Sequence, residues 1–455
     1  MDILALLHCL QPCLSATTLR QLSCIALALL SMTGRVTMSG IARWSGPGAS
    51  YRTIQRFFAT LVPWAQLFWL VFCQHLFEPD AAYILAGDEV VVTKAGKKTF
   101  GLDRFFSSVL QKVVPGVAFF SLALISTKTR RAFPLRLEQV VRTEAEKAVA
   151  KAKAVAKAKA AAKQPKLPAA KRKPGRPHGS KNKPKTAVSL SPELQRIQTM
   201  LQAQLQLMAG KMPLVYLTLD GHFGNSPTLQ MVRGCGLHLI SKVRADAALY
   251  FPYAGPYQGR GPRRKYGAKL DIDAIPEQCL RQRSVADGVE SCVYQAELLH
   301  KEFAQPLNVV VIVKTNLKSG ARAHVLLFSS DLGLACDKLV EYYGLRFQIE
   351  FTFRDAKQHW GLEDFMTVTE TGVTNAANLS LLRVSLSAVL VRDVRERDPQ
   401  CSVLDLKASC RGAKYVAETI KLLPEKLDEG LIARIVSQVA SLGRIHPLGA
   451  SLKAA

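Results

Sequence analysis

The spacing of apolar residues divides the chain into a helical beginning, a middle rich in strands and a helical end. Up to about residue 78, apolar residues recur at helical spacing, from Leu19 to Leu30 and again from Ile54 to Leu76. From Ala81 onward, β-branched and aromatic residues cluster in runs typical of strands: YILAGDEVVVTK, RFFSSVLQK and VAFFSLALISTK. The pattern predicts a helical N-terminal region followed by a sheet.

A well-marked helix and a further strand come next. Ser191 supplies an N-cap, Pro192 and Glu193 suit the first turn, and leucines recur through Met208. The run PLVYLTLD then predicts another strand. Three strands, a long helix and a fourth strand predict an α/β layer with a mixed sheet.

Residues 245 to about 334 have a different pattern. They contain short apolar alternations, many turn residues and the basic loop GRGPRRKYGAK, which indicates a β-rich module inserted into the α/β layer. After Trp360 the pattern becomes helical again over Asn375–Val394, and the last sixty residues favour a small helical tail.

The N-terminal region contains a candidate helix-turn-helix in the stretch VTMSGIARWSGPGASYRTIQRFF. Two short helices would flank the Ser-Gly-Pro-Gly turn, the second beginning near Ser50 and exposing Arg52 and Arg56. Two interpretations stay open, because a helix, a glycine turn and a helix also occur in proteins that never touch DNA. The charge of the chain favours DNA binding.

The net charge of +26 over 455 residues predicts a polyanionic partner, with nucleic acid ahead of an acidic membrane. The longest apolar runs, Leu22–Met32 and Val113–Ile125, are shorter than the ~18 to 20 residues that span a bilayer, and no membrane association is expected. Ten cysteines include no Cys-x-x-Cys pair, which argues against a zinc ribbon or a disulfide scaffold and for a reducing cytoplasm.

A low-complexity basic run lies between the third strand and the long helix. From Lys147 to Lys185 it has fourteen Lys and Arg residues and no acidic residue, so we expect it to be disordered or a fraying helix. Its KPGRP core is similar to a minor-groove-binding hook. Nonspecific phosphate binding is favoured over minor-groove binding, and a solubilising linker is the third interpretation. The candidate contact residues are Lys173, Arg176, Lys181 and Lys183.

Four side chains with complementary chemistry recur at helical spacing near residue 350. Tyr343, Arg346, Glu350 and Lys357 stand at offsets 0, 3, 7 and 14, which places them within roughly 60° of one another on a single helix face. Such a stripe could hold a metal and grip phosphate. The simpler alternative is a solvated face with salt bridges.

Two aspartates are expected at the sheet. Asp88 lies in the first strand, and Asp220 ends the strand LVYLTLD. A carboxylate in or at the end of a buried strand needs a hydrogen bond, a counter-charge or a metal, because burying it alone costs several kcal/mol. Together with Glu350 they match a hard-cation site of the kind that Mg²⁺ occupies.

The pattern Tyr-(2)-Arg-(3)-Glu-(6)-Lys is the signature of a large group of bacterial insertion-sequence transposases of the DDE type. Tyr343, Arg346, Glu350 and Lys357 match it without a gap, and the chain resembles this family over roughly residues 80–395. The resemblance implies an α/β, RNase H-like catalytic fold that follows a helical DNA-binding region.

In the family arrangement, Asp88 would lie on the first strand, Asp220 after the fourth, and Glu350 on a helix after the insertion. The three carboxylates would be catalytic and would bind two Mg²⁺ ions, with Mn²⁺ able to substitute. The remaining signature residues would hold the transposon end. Arg346 and Lys357 would bind its terminal phosphates, and Tyr343 would hydrogen-bond a phosphate beside these.

The resemblance also implies a function and a division of the chain. The protein would bind terminal inverted repeats as a homodimer, cut beside them and join 3′-hydroxyls to target DNA, in the nucleoid-associated cytoplasm of a bacterium. The expected parts are a helical DNA-binding region (1–78), a catalytic domain (79–244 and 335–395) containing a disordered basic segment (145–187), a β-rich insertion (245–334) and a helical tail (396–455).

Two alternatives belong to other classes: a catalytically silent DNA-binding regulator derived from a transposase, and a metal-dependent nuclease or ribonuclease H. One departure from the family concerns the insertion, where relatives that cut through a DNA hairpin often stack a flipped base on a Trp. The insertion has none. Any of its exposed aromatic residues could substitute, and core packing is the equal alternative: Tyr250, Phe251, Tyr253 and Tyr257.

Overall fold

The structure, a computed structural model, describes residues 3–46, 49–107, 110–149, 152, 155, 185–257, 259, 262–423 and 428–446. The candidate DNA-contact residues of the basic run lie outside the described residues: Lys173, Arg176, Lys181 and Lys183. So does most of the segment 145–187. Residues 145–149, at the beginning of this segment, are helical.

The N-terminal region is helical, as the apolar spacing predicts. Its helices are α1 (Ile3–Leu7), α2 (Ala16–Ser31), α3 (Met38–Trp44), α4 (Tyr51–Ala59) and α5 (Trp64–Val71). The Ser50 hydroxyl caps α4 by accepting a hydrogen bond from the Thr53 amide at 3.4 Å. Ile54 and Phe57 of α4 are fully buried, so the two helices that flank the glycine turn pack into the core.

Within the residues that the structure describes, twelve strands form one sheet. They are β1 (Tyr83–Thr93), β2 (Asp103–Ser107), β3 (Lys112–Ser126), β4 (Arg131–Val140), β5 (Tyr216–Thr218), β6 (His238–Val243), β7 (Leu249–Pro252), β8 (Tyr266–Lys269), β9 (Leu280–Ala286), β10 (Val289–His300), β11 (Leu307–Asn316) and β12 (Arg322–Ser329). The order is β2-β3-β1-β5-β6-β12-β11-β10-β7-β8, with β4 beside β3 and β9 beside β10.

The centre of the sheet is mixed, as expected. β1 pairs antiparallel with β3 and parallel with β5, and β5 pairs parallel with β6. β4 was not expected from the sequence, and with it Asp220 follows the fifth strand of the chain instead of the fourth, two residues beyond Thr218. The helices α6 (Pro192–Met208) and α7 (Ser226–Gly234) flank β5 along the chain.

The strands of the β-rich insertion extend the central sheet. β12 pairs antiparallel with β6, with Leu326 opposite Val243, and β11 and β10 follow outward from it. The insertion is β-rich, as the alternating pattern indicates, but its backbone hydrogen bonds are continuous with those of β1 and β5.

Five helices complete the described chain: α8 (Cys336–Leu345), α9 (Gln348–Trp360), α10 (Glu370–Arg395), α11 (Val403–Ile420) and α12 (Glu429–Ser441). By length and composition α10 could cross a membrane, but 83% of its apolar window is buried inside the protein, so it packs as a core helix. α11 contacts α2, where Arg411 donates from Nε to the Ser31 carbonyl at 3.2 Å.

Candidate active site

One aspartate lies on β1, and a second follows the neighbouring parallel strand β5. Leu85 of β1 is opposite Leu217 of β5. Continuing that register by three residues brings Asp88 beside Asp220, just past the end of β5. The parallel pairing of β1 and β5 therefore gathers two carboxylates that are far apart in the sequence.

Gly87 makes room for close packing immediately before Asp88. A Cβ atom at this position would lie 2.8 Å from the Leu219 side chain and 2.8 Å from the ring of Phe120, closer than carbon atoms approach one another. Leu219 directly precedes Asp220. The absence of a side chain at Gly87 thus lets the segments that carry the two aspartates pack together.

The Asp88 carboxylate is largely buried and has two donors. It accepts hydrogen bonds from the Glu89 amide at 2.9 Å and from Nη1 of Arg346 at 2.8 Å, and its side chain is 20% exposed. Burial raises the pKa of Asp88 to about 6, although Arg346 and the Glu89 amide oppose this rise. The negative charges of Glu350 and Asp220 raise it further, so the three acidic groups act on one another.

Asp220 is held by the turn that follows β5. Its Oδ1 accepts a hydrogen bond from the His222 amide at 3.0 Å, and its carbonyl accepts one from the Ser241 hydroxyl at 2.7 Å. Asp220 thereby caps a short 3₁₀ turn, Gly221–Phe223. These contacts fix the backbone on both sides of the carboxylate and leave Oδ2 without a partner among the described residues.

The four signature residues do not share one helix, and this expectation from the sequence is wrong. Tyr343 lies near the end of α8, Arg346 caps that helix, and Glu350 and Lys357 lie in α9. Arg346 keeps helical dihedral angles, but its amide bonds to the carbonyl of Tyr343, three residues back, at 3.3 Å. Such a bond tightens the turn and interrupts the regular α-helical ladder.

Arg346 connects the aspartate of β1 with the glutamate of α9. Its Nη1 lies 2.8 Å from Asp88 Oδ2, and its Nη2 lies 3.2 Å from Glu350 Oε1. The Arg346 side chain is only 12% exposed, whereas that of Glu350 is 40% exposed. Arg346 Nε is buried and has no hydrogen-bond partner within the described part of the chain. The guanidinium is therefore the centre of this site.

The electrostatic environment keeps Arg346 charged. Burial disfavours the cation, but the negative charges of Asp88, Glu350 and Asp220 oppose this effect, and the pKa of Arg346 is raised. The ring of Tyr343 lies beneath the guanidinium, with its centroid 5.9 Å from Cζ. Three of the four signature residues thus meet beside Asp88 of β1.

Lys357 lies at the same strand but has its own partners. Its Nζ donates to the Val91 carbonyl of β1 at 3.1 Å and lies 2.9 Å from Oε1 of Glu363. Val91 is three residues beyond Asp88, and Lys357 is about two helical turns beyond Glu350. The Lys357 side chain is 24% exposed, and its ammonium group lies further along β1, away from the aspartates.

The donor set suits a divalent cation in kind, since Asp88, Asp220 and Glu350 supply the carboxylate oxygens that Mg²⁺ prefers. The spacing of these carboxylates, however, does not suit a shared metal ion. Within the described residues no three His, Cys, Asp or Glu side chains are close enough to hold a metal ion together. Arg346 lies between two of these carboxylates, and its single positive charge offsets part of their negative charge. The structure therefore brings the acidic groups near one another, with the Arg346 guanidinium between Asp88 and Glu350.

A histidine close to Asp220 pairs with a glutamate of α6. His222 Nε2 lies 3.5 Å from Oε2 of Glu193, which is in the first turn of that helix. This hydrogen bond raises the pKa of His222. Sequence reasoning gave His222 no role. The signal available in the sequence is its position, two residues after Asp220, but its pairing with Glu193 depends on how α6 packs.

The aromatic residues of the insertion divide between surface and core. Phe251 packs against the hydrophobic core. Three tyrosine rings carry cations instead: Lys301 over Tyr250 at 5.2 Å, Arg264 over Tyr253 at 4.9 Å and Arg263 over Tyr257 at 5.3 Å. A surface of tyrosines and cations is compatible with base stacking, which stays a prediction.

Comparison with known families identifies the class of protein. Residues 9–298, well over half of the chain, match the family described as DDE superfamily endonuclease. The chain belongs to this family, whose members act on DNA. Asp88 and Asp220 lie within the matched residues, and Glu350 lies beyond them. A comparison with curated proteins gave no match.

Proposed function

We propose that this chain is a DDE transposase that binds terminal inverted repeats, cleaves DNA at the element ends and joins the 3′-hydroxyls to target DNA. The observation that carries the proposal is that Asp88 of β1 lies near Asp220, which follows the parallel strand β5, and that Glu350 is joined to Asp88 through Arg346. The match to the endonuclease family supports the nuclease chemistry.

The strand order supports an RNase H-like catalytic fold. β4 and β3 lie on one side of β1 in antiparallel pairing, and β5 and β6 lie on the other side in parallel pairing. In this arrangement the first strand carries one carboxylate and the parallel strand beside it leads to the second. The long separation between Asp220 and Glu350 is filled by strands that extend the same sheet.

Asp88, Asp220 and Glu350 would hold two Mg²⁺ ions, for which Mn²⁺ could substitute. When bound, two such ions activate an attacking oxygen and stabilise the leaving oxygen in an in-line phosphoryl displacement. No covalent protein nucleophile is needed. The raised pKa of Asp88 reflects burial and crowded carboxylates, and a divalent cation would relieve that repulsion.

Arg346, Lys357 and Tyr343 would bind the transposon end. Nη1 and Nη2 of Arg346 each donate to a different carboxylate, Asp88 and Glu350, and the planar guanidinium could instead bind two oxygens of one phosphate. Arg346 would exchange its carboxylate partners for a DNA phosphate, which would free Asp88 and Glu350. Lys357 would contribute a point charge further along β1.

The remaining parts of the chain fit DNA as the partner. α3 and α4 would bind the terminal repeat, the basic run would contact phosphates, and two copies would pair two element ends in the bacterial cytoplasm. The exposed residues Arg52 and Arg56 of α4 are the candidate groove contacts. The insertion would lie next to the catalytic strands, because β12 pairs with β6.

A catalytically silent DNA-binding regulator is the second candidate, and one observation favours it. Arg346 supplies Asp88 and Glu350 with a positive charge and hydrogen bonds in the absence of a metal ion. The two candidates differ in their products. Purified protein, DNA carrying an element end and Mg²⁺ should yield a nick at the element boundary, and Asp88→Asn should abolish it while leaving binding intact.

The matched control for this cleavage assay is Glu341→Gln. Glu341 is an acidic residue of α8 that pairs with Lys338 at 2.9 Å, and it has no contact with Asp88 or Arg346 among the described residues. Cleavage by the Glu341 variant at the wild-type rate is expected. Nicking that persists in Asp88→Asn would reject the catalytic assignment, and binding without any metal-stimulated nick would favour the regulator.

A further inference from the structure

A cavity lined by arginines and apolar side chains lies behind the helix that carries Glu350. It has a volume of about 510 Å³, is open to solvent, and lies between α9, α10, the start of β4, the beginning of α11 and the segment with Ile445 and His446. Phe351, Asp355 and His359 of α9 line it. At 100° per residue these side chains project roughly 100° to 180° away from Glu350, so the cavity and the candidate active site use different faces of α9.

Arginines dominate the charge of this cavity. Arg131, Arg354 and Arg395 line it, and Asp355 is the single acidic residue among the described lining residues. Asp355 is already paired with Arg354 at 3.1 Å. Two guanidinium groups therefore remain without a carboxylate to balance them.

Arg131 is the clearest case of an unbalanced cation. Within the described part of the chain its guanidinium has no hydrogen-bond or ion-pair partner. Partial burial lowers the pKa of Arg131, and the nearby charges of Arg395 and Arg392 lower it further. Arg395 donates from Nε to the Cys401 carbonyl at 2.8 Å, a neutral acceptor that leaves its charge uncompensated. This pair of like charges lacks an anion.

The walls between the arginines are apolar and include an exposed aromatic face. Phe351, Leu404 and Ile445 are 37%, 43% and 58% exposed. The Arg354 guanidinium lies 4.7 Å from the centroid of the Phe351 ring. Cations beside an exposed aromatic ring form the combination that holds both the phosphate and the base of an unpaired nucleotide.

We propose that this cavity binds a single-stranded segment of DNA, with phosphates on Arg131 and Arg395 and a base against Phe351. The inference rests on the proposed function only in its choice of DNA as the ligand. Single-stranded DNA is favoured over duplex, because a base must be free of its pair to reach an aromatic surface inside a cavity of this size.

Photo-crosslinking locates the ligand directly. Full-length protein is irradiated with a twelve-nucleotide single strand containing 5-iododeoxyuridine, without metal, and the attached peptide is identified by mass spectrometry. A crosslink within Gln348–Trp360 is expected. The double variant Arg131→Gln/Arg395→Gln should reduce that crosslink at least fivefold, while Arg233→Gln/Arg281→Gln, which removes two exposed arginines elsewhere, should leave it unchanged.

The salt dependence of binding gives a second measure. Removing two phosphate-binding arginines should reduce the slope of log K against log salt by about 1.4, since each phosphate neutralised on a single strand adds about 0.7. Crosslinks confined to other peptides, or an unchanged slope and crosslink in the cavity variant, would overturn the proposal. Equal or stronger crosslinking of the same sequence as duplex would overturn the preference for single strands.

The crosslinking test is independent of catalysis. Asp88→Asn should retain the crosslink, so loss of nicking in that variant tests the proposed function alone. If Arg131→Gln/Arg395→Gln fails to fold, as judged by circular dichroism, the position of the wild-type crosslink decides the question by itself.

Discussion

Arg346 donates to the Asp88 carboxylate at 2.8 Å across 258 residues of sequence, and so connects the end of α8 to the first strand of the sheet. The same guanidinium reaches Glu350 at 3.2 Å. This contact gives the candidate site an internal counter-ion. A guanidinium bound between carboxylates competes with a metal ion for them. A phosphate that binds the guanidinium more strongly would release the carboxylates.

Arg346→Gln should therefore strengthen metal binding by the free protein. Removing the positive charge frees Asp88 and Glu350 and ends its repulsion of a divalent cation. We expect Mn²⁺ to bind on the order of tenfold more tightly, equivalent to about 1.4 kcal/mol. Calorimetric titration of the protein without DNA measures this. Arg354→Gln is the matched control, because Arg354 pairs with Asp355.

The same variant should weaken binding to DNA that carries an element end, since Arg346 is proposed to grip a phosphate there. Opposite changes in metal affinity and DNA affinity are the result expected of an exchangeable counter-ion. Unchanged or weaker Mn²⁺ binding by Arg346→Gln would mean that the guanidinium only stabilises the fold.

Gly87→Ala should destabilise the protein by about 1–3 kcal/mol. The added methyl group would meet Leu219 and Phe120 at 2.8 Å in the contact between β1 and the segment leading to Asp220. Urea denaturation of wild type and variant measures the free energy of unfolding. Gly96→Ala is the control, because its nearest neighbour, the Thr99 hydroxyl, is 3.8 Å away and the substitution should change stability little.

Lys407 should make the free energy of unfolding depend on pH in the alkaline range. Burial, followed by the charges of Arg383 and Arg411, lowers the pKa of Lys407 from 10.5 to about 8. Between these values the unfolded chain binds more protons than the folded chain, so the free energy of unfolding rises as pH increases from about 8 to 10.5. Lys407→Met should remove this part of the rise.

Urea denaturation across that pH range tests the Lys407 prediction, and Lys421→Met serves as the control. Lys421 is an exposed lysine on the surface, with 60% of its side chain accessible. The difference in unfolding free energy between wild type and Lys407→Met should increase with pH. A pH-independent difference would contradict the environment described for Lys407.

Deleting residues 147–185 should weaken binding to DNA and flatten its salt dependence. The deletion removes fourteen positive charges and no negative one. Each phosphate of duplex DNA that the shortened protein no longer neutralises should reduce the slope of log K against log salt by about 0.9. Fluorescence anisotropy at several salt concentrations measures the slope, and an unchanged slope would exclude the run from the DNA interface.

Much of the fold could be predicted from local pattern. The cap at Ser191 and the helix that follows it, the apolar strand β3 and the two helices around the glycine turn all carry strong local signals. β4 carries a weaker one, because Pro134 interrupts its alternation of apolar and polar residues. The pairing of β12 with β6 depends on contacts between distant segments, which no local pattern records.

The candidate site could be predicted in composition but not in arrangement. Acidic residues at strands and a signature at helical spacing identified Asp88, Asp220 and Glu350, whose catalytic roles stay predictions. Gly344, in the last turn of α8, is the local signal for the break between α8 and α9, but an isolated glycine is also tolerated inside a helix. The contact of Arg346 with Asp88 arises because the junction of α8 and α9 packs against β1. The sequence therefore indicated a phosphate ligand for Arg346 but not its ion pair with Asp88.

Iron-directed cleavage of the protein backbone tests the central claim most directly. Fe²⁺ is added in place of Mg²⁺ to the complex with element-end DNA, and ascorbate with peroxide then generates hydroxyl radicals at the bound ion. If Asp88, Asp220 and Glu350 hold one metal site, cuts should appear near all three positions, should be suppressed by Mg²⁺ and should disappear in Asp88→Asn. Cuts at one position alone, or cuts that persist in that variant, would contradict the account.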